Sequence, residues 1–276
     1  MRSVRSLAAH PNAVIGLVVL VVLALASLIG PLISPHDPER LALDRAFRGP
    51  SASHWLGTDE LGRDLLTRLM AGGRISLLIG IGAVGLGLLS GGTIGLISGY
   101  AGGMVDLVIQ RVNDAMFAFS SLLLALALVA ILGPGVTNVI ISVGIATIPV
   151  FIRLGRAQAM VIRNQPFVQT AELMGVGRPR ILSRHVLRNA LTPLVVQSTV
   201  VLGSAILAAA GLGFLGLGVQ EPQAEWGAML GAARQFIFAD SRLILVPGVA
   251  IFLAVVAFNL LGDGLRDALD PRLTVK

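Results

Sequence analysis

The sequence predicts an all-α integral membrane protein with six transmembrane helices, and three observations carry that prediction. Of the 276 residues, 55% are apolar and 33 more are glycine. Together they make about two thirds of the chain, against roughly 45–50% in soluble domains. Charged residues are 13% of the chain, near half the usual ~25%. The longest apolar runs hold no charge at all. A water-soluble globule of this size needs more polar surface, which excludes a cytoplasmic enzyme and a disordered chain. With no cysteine present, disulfides, Cys-ligated zinc and thiol catalysis are excluded too.

A span needs about 20 apolar residues, because the hydrocarbon core is ~30 Å thick and a helix rises ~1.5 Å per residue. Ala13–Ile33 meets this without a charge. Arg2 and Arg5 before it, and Ala24-Leu25-Ala26 within it, have the form of a signal peptide. The apolar run continues to Ile33 with no hydrophilic domain behind it, so the expectation is a retained anchor. The loop Ser34–Arg74 follows, with six arginines and six acids. Ile75–Tyr100 is the second span, and its Gly87, Gly91, Gly95 and Gly99 recur every four residues. That spacing lines one helix face with hydrogen atoms, so a neighbouring backbone can approach closely.

Met104–Leu132 is the third span, apolar in its second half, with Asp106, Arg111 and Asp114 in its first. At 100° per residue, Asp106, Gln110, Asn113 and Ser120 fall within about 80° of one another. Intramembrane acids usually face a protein interior or an aqueous cavity. The stripe has two readings: a lining of a transport path, or acids near the interface that pair with arginines. Val136–Ile152 is a short uncharged fourth span, Leu191–Leu217 the fifth and Leu243–Leu261 the sixth.

Orientation follows from arginine. The formal charge is +6, with a pI near 11.3. The excess sits in Arg153–Arg188, which holds seven arginines and one acid, Glu172. A short, strongly basic loop belongs in the cytoplasm. Counting spans back puts the N-terminus with Arg2 and Arg5 there; counting forward puts Arg266, Arg272 and Lys276 there as well. The positive charge thus sets topology and is not a nucleic-acid surface.

Several patterns look chemical and are not. Gly80–Gly85 and Gly211–Gly216 both fit G-x-G-x-x-G, but a dinucleotide site needs a preceding strand and a later acid. Both matches lie in apolar runs and read as helix packing. A phosphate-binding loop needs Gly-Lys-Ser/Thr, and the only lysine is Lys276. His10, His36, His54 and His185 are scattered without ligand spacing. No G-x-S-x-G elbow occurs, so no catalytic residue, metal or cofactor is expected in this chain.

The basic segment is the most informative stretch. Pro166 suits a first helical position, so Phe167–Met174 reads as a short helix stopped at Gly175-Val176-Gly177. Pro179 starts a second helix expected to lie on the membrane surface, with Ile181, Leu182, Val186 and Leu187 among Arg180, Arg184, His185 and Arg188. A short rigid helix between such breaks suits a groove on a soluble partner.

Here the chain resembles a known family. Phe167-Val168-Gln169-Thr170-Ala171-Glu172-Leu173-Met174-Gly175, followed by Arg184-His185-Val186-Leu187-Arg188-Asn189-Ala190-Leu191-Thr192-Pro193, is similar to the EAA loop of binding-protein-dependent ABC importer permeases. Leu56-Gly57-Thr58-Asp59-Glu60-Leu61-Gly62-Arg63-Asp64 resembles the C-type subunit of the dipeptide/oligopeptide/nickel branch. So do Glu225-Trp226-Gly227-Ala228-Met229-Leu230 and the run Phe258–Arg272. Gln169 stands where the family has Glu, and Thr170 where it has its first Ala. Arg188 and Ser120 replace two family prolines, while Gly175 is retained.

The resemblance implies a type I ABC importer permease fold in the cell inner (plasma) membrane. Residues 1–74 are a cytoplasmic tail, first helix and external loop. Residues 75–276 are a five-helix core with a cytoplasmic coupling loop at 157–190 and an external segment at 219–242. The implied partners are a second permease subunit, two cytoplasmic ATPase subunits carrying ATP and Mg, an extracytoplasmic solute-binding protein and membrane lipid. Phe167, Gln169, Thr170, Ala171, Glu172, Gly175 and Gly177 form the implied ATPase-coupling loop. Glu225 and Trp226 in the external segment are expected to meet the binding protein, or to anchor that segment at the interface. The implied cargo is a dipeptide or oligopeptide, with nickel or glutathione as alternatives. A self-sufficient secondary transporter or channel would leave the coupling loop without a purpose.

Overall fold

The computed structural model describes residues 11–269. Arg2, Arg5, His10, Arg272 and Lys276 therefore lie outside the described residues. Helix α1 spans Pro11–Ile33, and α2 spans Leu65–Ala101 with a π-helical turn at Leu88–Gly92. Next come α3, Gly103–Phe117, and α4, Ser121–Leu132, then α5, Val136–Arg163, and the short α6, Pro166–Leu173. Helix α7 spans Arg178–Phe214, with a second π turn at Leu182–Val186. Helix α8 is Trp226–Ala233 and α9 is Arg242–Leu269. Among the described residues, five helices are long and apolar enough to cross a membrane, and the pair α3–α4, bent by 88°, makes a sixth when counted as one span.

Helix ends differ most from the sequence expectation at three places, each for a physical reason. Helix α2 starts at Leu65, ten residues before Ile75, because Asp64 caps it by accepting from the Thr67 amide at 2.8 Å. Arg68, which reads as a loop charge, is buried inside that helix. Helix α5 runs to Arg163, past Ile152; its 28 residues extend about 42 Å, longer than the ~30 Å core. The segment from Pro179 to Arg188 is not a separate surface helix. It is the base of α7, with Ile181, Val186 and Ala190 fully buried and the arginines outward.

The α3–α4 break falls at Ser120, whose φ −58° and ψ 137° are extended. The chain turns there without a proline.

Helix α2 packs along α5, α7 along α9, and α1 across both α9 and α2. Gly87, Gly91, Gly95 and Gly99 all face α5. A Cβ at Gly91 would stand 2.5 Å from the Ile148 carbonyl oxygen, and one at Gly95 or Gly99 would strike the backbone of Ile152 or Arg156. At Gly87 it would strike the Thr147 hydroxyl. The α5 residues met, Gly144, Ile148, Ile152 and Arg156, also recur every four, so i±4 ridges face each other. A four-residue step drifts by about 40° on an ordinary helix. The looser π turn offsets part of that drift and keeps the row on one face.

Gly95→Ala should therefore cost about 1–3 kcal/mol by overpacking. Gly85→Ala, where a Cβ meets nothing within 4 Å, should be neutral or stabilising through helix propensity. Thermal unfolding of the two variants in detergent checks the contrast.

Candidate functional site

At the end of the molecule where α5 gives way to α7, α6 is built as a rigid short rod. Pro166 occupies its first position. Its far end is a Schellman closure: Gly175 N–H donates to the Glu172 carbonyl at 3.0 Å and Val176 N–H to the Ala171 carbonyl at 3.0 Å. Gly175 has φ +77°, which a glycine adopts without strain. Gly177 is different from the expected second left-handed stop. It is extended, at φ −62° and ψ 143°, and precedes α7.

Helix α6 divides into two faces. Val168 and Ala171 are buried against the core. Gln169, Thr170 and Glu172 are exposed, as are Phe167 at 45%, Leu173 at 89% and Met174 at 79%. Three large apolar side chains held outward on a rigid helix are a face that lacks its cover. The Phe167 ring lies 6.2 Å from His185, and Tyr100 Oη donates to Glu172 Oε1 at 2.9 Å.

The polar stripe of α3 lies close by and is divided among partners. Arg156 grips Asp106 with two hydrogen bonds, Nε to Oδ1 at 2.6 Å and Nη2 to Oδ2 at 2.7 Å. Ser98 Oγ donates to Asp106 Oδ1 at 2.6 Å and accepts from Gln110 Nε2 at 3.0 Å. Asp114 stands 3.7 Å from Arg153 on the surface. Asn113 is fully buried, with no hydrogen-bond partner for either amide atom among the described residues. Both acids thus have arginine partners, and neither presents a free charge to a path.

Across the molecule, Glu225 and Trp226 are each only 2% exposed, which corrects the expected contact with an external protein. Glu225 caps α8: Oε1 accepts from Ser76 Oγ at 2.7 Å and Gly227 N–H at 2.9 Å, and Oε2 from Ala228 N–H at 2.8 Å. Burial pushes its carboxyl above the usual range, against the pull of Gly227, Ser76 and Ala228. Trp226 Nε1 donates to the Leu69 carbonyl at 2.9 Å, and Gly72 and Gly73 leave room for its ring. The pair staples α8 to α2 instead of meeting a partner or sitting in an interfacial belt. Its Ser76 partner is 149 residues away, a distance that sequence spacing does not reveal.

Beside it lies a charge cluster that charge counting alone reads as a balanced loop. Arg63, 2% exposed, reaches Asp59 at 2.6 Å, Glu60 at 3.2 Å and Glu221 at 3.1 Å. Arg68 reaches Asp59 at 3.3 Å and Glu221 at 3.7 Å. Burial raises the Glu60 carboxyl, while for Arg63 the burial penalty is outweighed by Glu221 and Asp59, which hold the guanidinium charged. His54 Nδ1 pairs with Asp64 at 2.9 Å, and one donor atom each from His36, His54 and Asp64 lie within 4.8 Å. The two imidazoles stack at 4.5 Å with 27° between planes. The trio is a strut for the loop before α2.

Comparisons with known proteins agree with this architecture. Residues 91–275 match the family described as "Binding-protein-dependent transport system inner membrane component". Residues 2–50 match "N-terminal TM domain of oligopeptide transport permease C". The chain is 45% identical over 261 residues to the dipeptide transport system permease protein DppC of Alkalihalophilus pseudofirmus, covering 95% of this chain and 86% of that one. It is 45% identical over 270 residues to the glutathione transport system permease protein GsiD of Pectobacterium atrosepticum, covering 98% and 89%. A chain of the MetNI methionine ABC transporter, solved in inward-facing conformations, superposes with a TM-score of 0.60 at 15% identity, over 74% of this chain and 97% of that one. That last likeness is one of fold.

Arg63→Ala should cost about 3 kcal/mol, because it leaves buried Asp59 without its closest cation. Arg45→Ala removes a pair whose partners are 51% and 72% exposed and should cost under ~1 kcal/mol. Paired thermal melts measure the difference.

Proposed function

The chain belongs to the family of binding-protein-dependent transport system inner membrane components, and from that premise we propose how it works. It is an ABC importer permease of the inner membrane. In our reading it is one of two different permease subunits, and α6 is the helix that receives the force of two ATPase subunits carrying ATP and Mg. A solute-binding protein delivers cargo on the other side. The cargo is a short peptide, as the names of the dipeptide and glutathione relatives suggest, with selection made largely by the binding protein.

The observation that carries this is α6 itself, with Phe167, Leu173 and Met174 outward on a helix closed at Gly175. Gln169 keeps the length of the family's Glu but not its charge. Docking in this chain therefore rests on shape and apolar contact instead of an ion pair at that position. The arginines at Arg178, Arg180, Arg184 and Arg188 put this end in the cytoplasm by the positive-inside rule. Residues 1–74 then supply the tail, first span and external loop, and 75–276 the five-span core. ATP closure of the ATPases shifts α6, and the core passes between inward- and outward-open states, as alternating access requires. ATP drives that shift only through its stronger binding to one state.

Reconstitution in proteoliposomes with the partner permease, both ATPases and loaded binding protein should give uptake of labelled dipeptide that depends on ATP. Uptake by this chain alone, indifferent to ATP, would overturn the proposal. Leu173→Asp combined with Met174→Asp should weaken ATPase association about a hundredfold or more, since each buried apolar side chain contributes ~1.5–3 kcal/mol and ~1.4 kcal/mol is tenfold. Both residues are exposed, so the melting temperature should hold. Gly175→Pro forces φ near −65° where the chain needs +77°, and should leave ATP hydrolysis running while uptake falls.

A further inference from the structure

Tyr100 joins two features that the proposed function leaves separate. It is 7% exposed, in the last turn of α2, and the Arg163 guanidinium lies 5.9 Å from its ring centre. Its hydroxyl donates to Glu172 Oε1 at 2.9 Å. Among the described residues this is the only hydrogen bond made by a side chain of α6 to another element. A buried ring there needs no hydroxyl to fill space; the hydroxyl meets a carboxylate, the stronger kind of acceptor.

Immediately after Tyr100 the chain turns a corner. Gly102 and Gly103 both have positive φ, +66° and +56°, and α3 begins there. On the far side of the corner, Ser98 and Arg156 hold Asp106. Beyond that clasp α3 is loosely held, since Asn113 is its only buried residue. The α2 side of the joint is thus fixed by the glycine seam to α5, whereas the α3–α4 side is held at fewer points, Asp106 at its base and Ala125 and Val129 of α4 against the core. Glu172 is 72 residues from Tyr100 in sequence, yet it touches the joint.

We propose that Tyr100 is a positioning residue of the transport cycle, tying α6 to the Gly102–Gly103 joint so that displacement of α6 turns the bent α3–α4 span. This rests on the reading of α6 as the ATPase-docking helix. Arg163, over the ring and 3.5 Å from where a Cβ of Gly102 would stand, keeps the tyrosine pressed to the corner. The Tyr100–Glu172 bond carries the pull, and the paired glycines supply the backbone freedom to bend.

The test is a double-mutant cycle in the assembled transporter, in proteoliposomes, reading ATP hydrolysis, peptide uptake and ATPase co-purification together. Tyr100→Phe and Glu172→Ala should each lower uptake per ATP hydrolysed about three- to tenfold, the range of an ordinary hydrogen bond with a solvent-exposed partner. Co-purification and hydrolysis should persist in Tyr100→Phe, whose ring is buried away from the docking face. Glu172→Gln, which still accepts the bond, should keep most of the coupling. The double variant should be no worse than either single one. Additive losses, or unchanged uptake per ATP in both single variants, overturn the proposal. Glu172 is exposed, so its two variants decide the matter even where Tyr100→Phe does not fold. Failure of the docking reading shows separately, as ATPase co-purification indifferent to charge at Leu173 and Met174.

Discussion

Inside a bilayer an apolar side chain gains nothing by leaving lipid for protein, so close backbone contact has to do what the hydrophobic effect does in water. The contact of α2 with α5 meets that constraint. Gly87, Gly91, Gly95 and Gly99 bring one helix backbone against the other, and dispersion over a long seam replaces expelled water. Everything else hangs from this pair. Helix α1 crosses α2 with Gly30 against Met70. Helix α8 is pinned to α2 through Ser76 and Leu69. The loop that carries α6 leaves from the end of α5.

The same constraint explains the polar residues. Lipid offers no partner to a charge, so each one buried here brings its own. Arg63 and Arg68 share Asp59 and Glu221, Glu225 takes three donors, and Asp106 takes a bidentate arginine. These groups also do the joining that side-chain packing does in soluble folds. Glu221 ties the segment before α8 to the loop before α2, and Ser98–Asp106–Arg156 ties the start of α3 to α5. The exceptions among the described residues are Asn113 and the Ser142 hydroxyl, buried without a protein partner. An unmade bond of that kind costs about 1–3 kcal/mol.

Spans were legible in the sequence because hydrocarbon thickness imposes one length on all of them. The glycine row was legible because a four-residue period has one geometric meaning on a helix. Helix ends were not, wherever charge is buried. Arg68 and Arg74 make the start of α2 look like loop, and Arg180–Arg188 make the base of α7 look like a surface helix, since composition registers charge but not its partner. Glu225 and Trp226 misled for the same reason. An acid beside a tryptophan in a half-apolar segment looks like a contact surface until Ser76 and the Leu69 carbonyl are seen to claim both side chains. Helix α6, by contrast, was marked at both ends by local chemistry, Pro166 before it and Gly175 after it.

Stiffness and looseness are distributed along the chain in a way that suits work done at a distance. Helix α6 is short, capped and held at a few points, so it moves as one piece. The α2–α5 seam has no side chains to rearrange at its glycine positions, so it resists sliding and serves as the fixed frame. Between them stands a corner with two left-handed glycines and a span that is bent by 88° and scarcely buried. A displacement entering at α6 cannot be absorbed by the frame. In the proposed reading it is taken up at the joint and in α3–α4, which is held to the frame chiefly at Asp106 and through Ala125 and Val129. In the reading proposed above, the energy of ATP reaches this permease as motion, and this distribution of stiffness is what carries it.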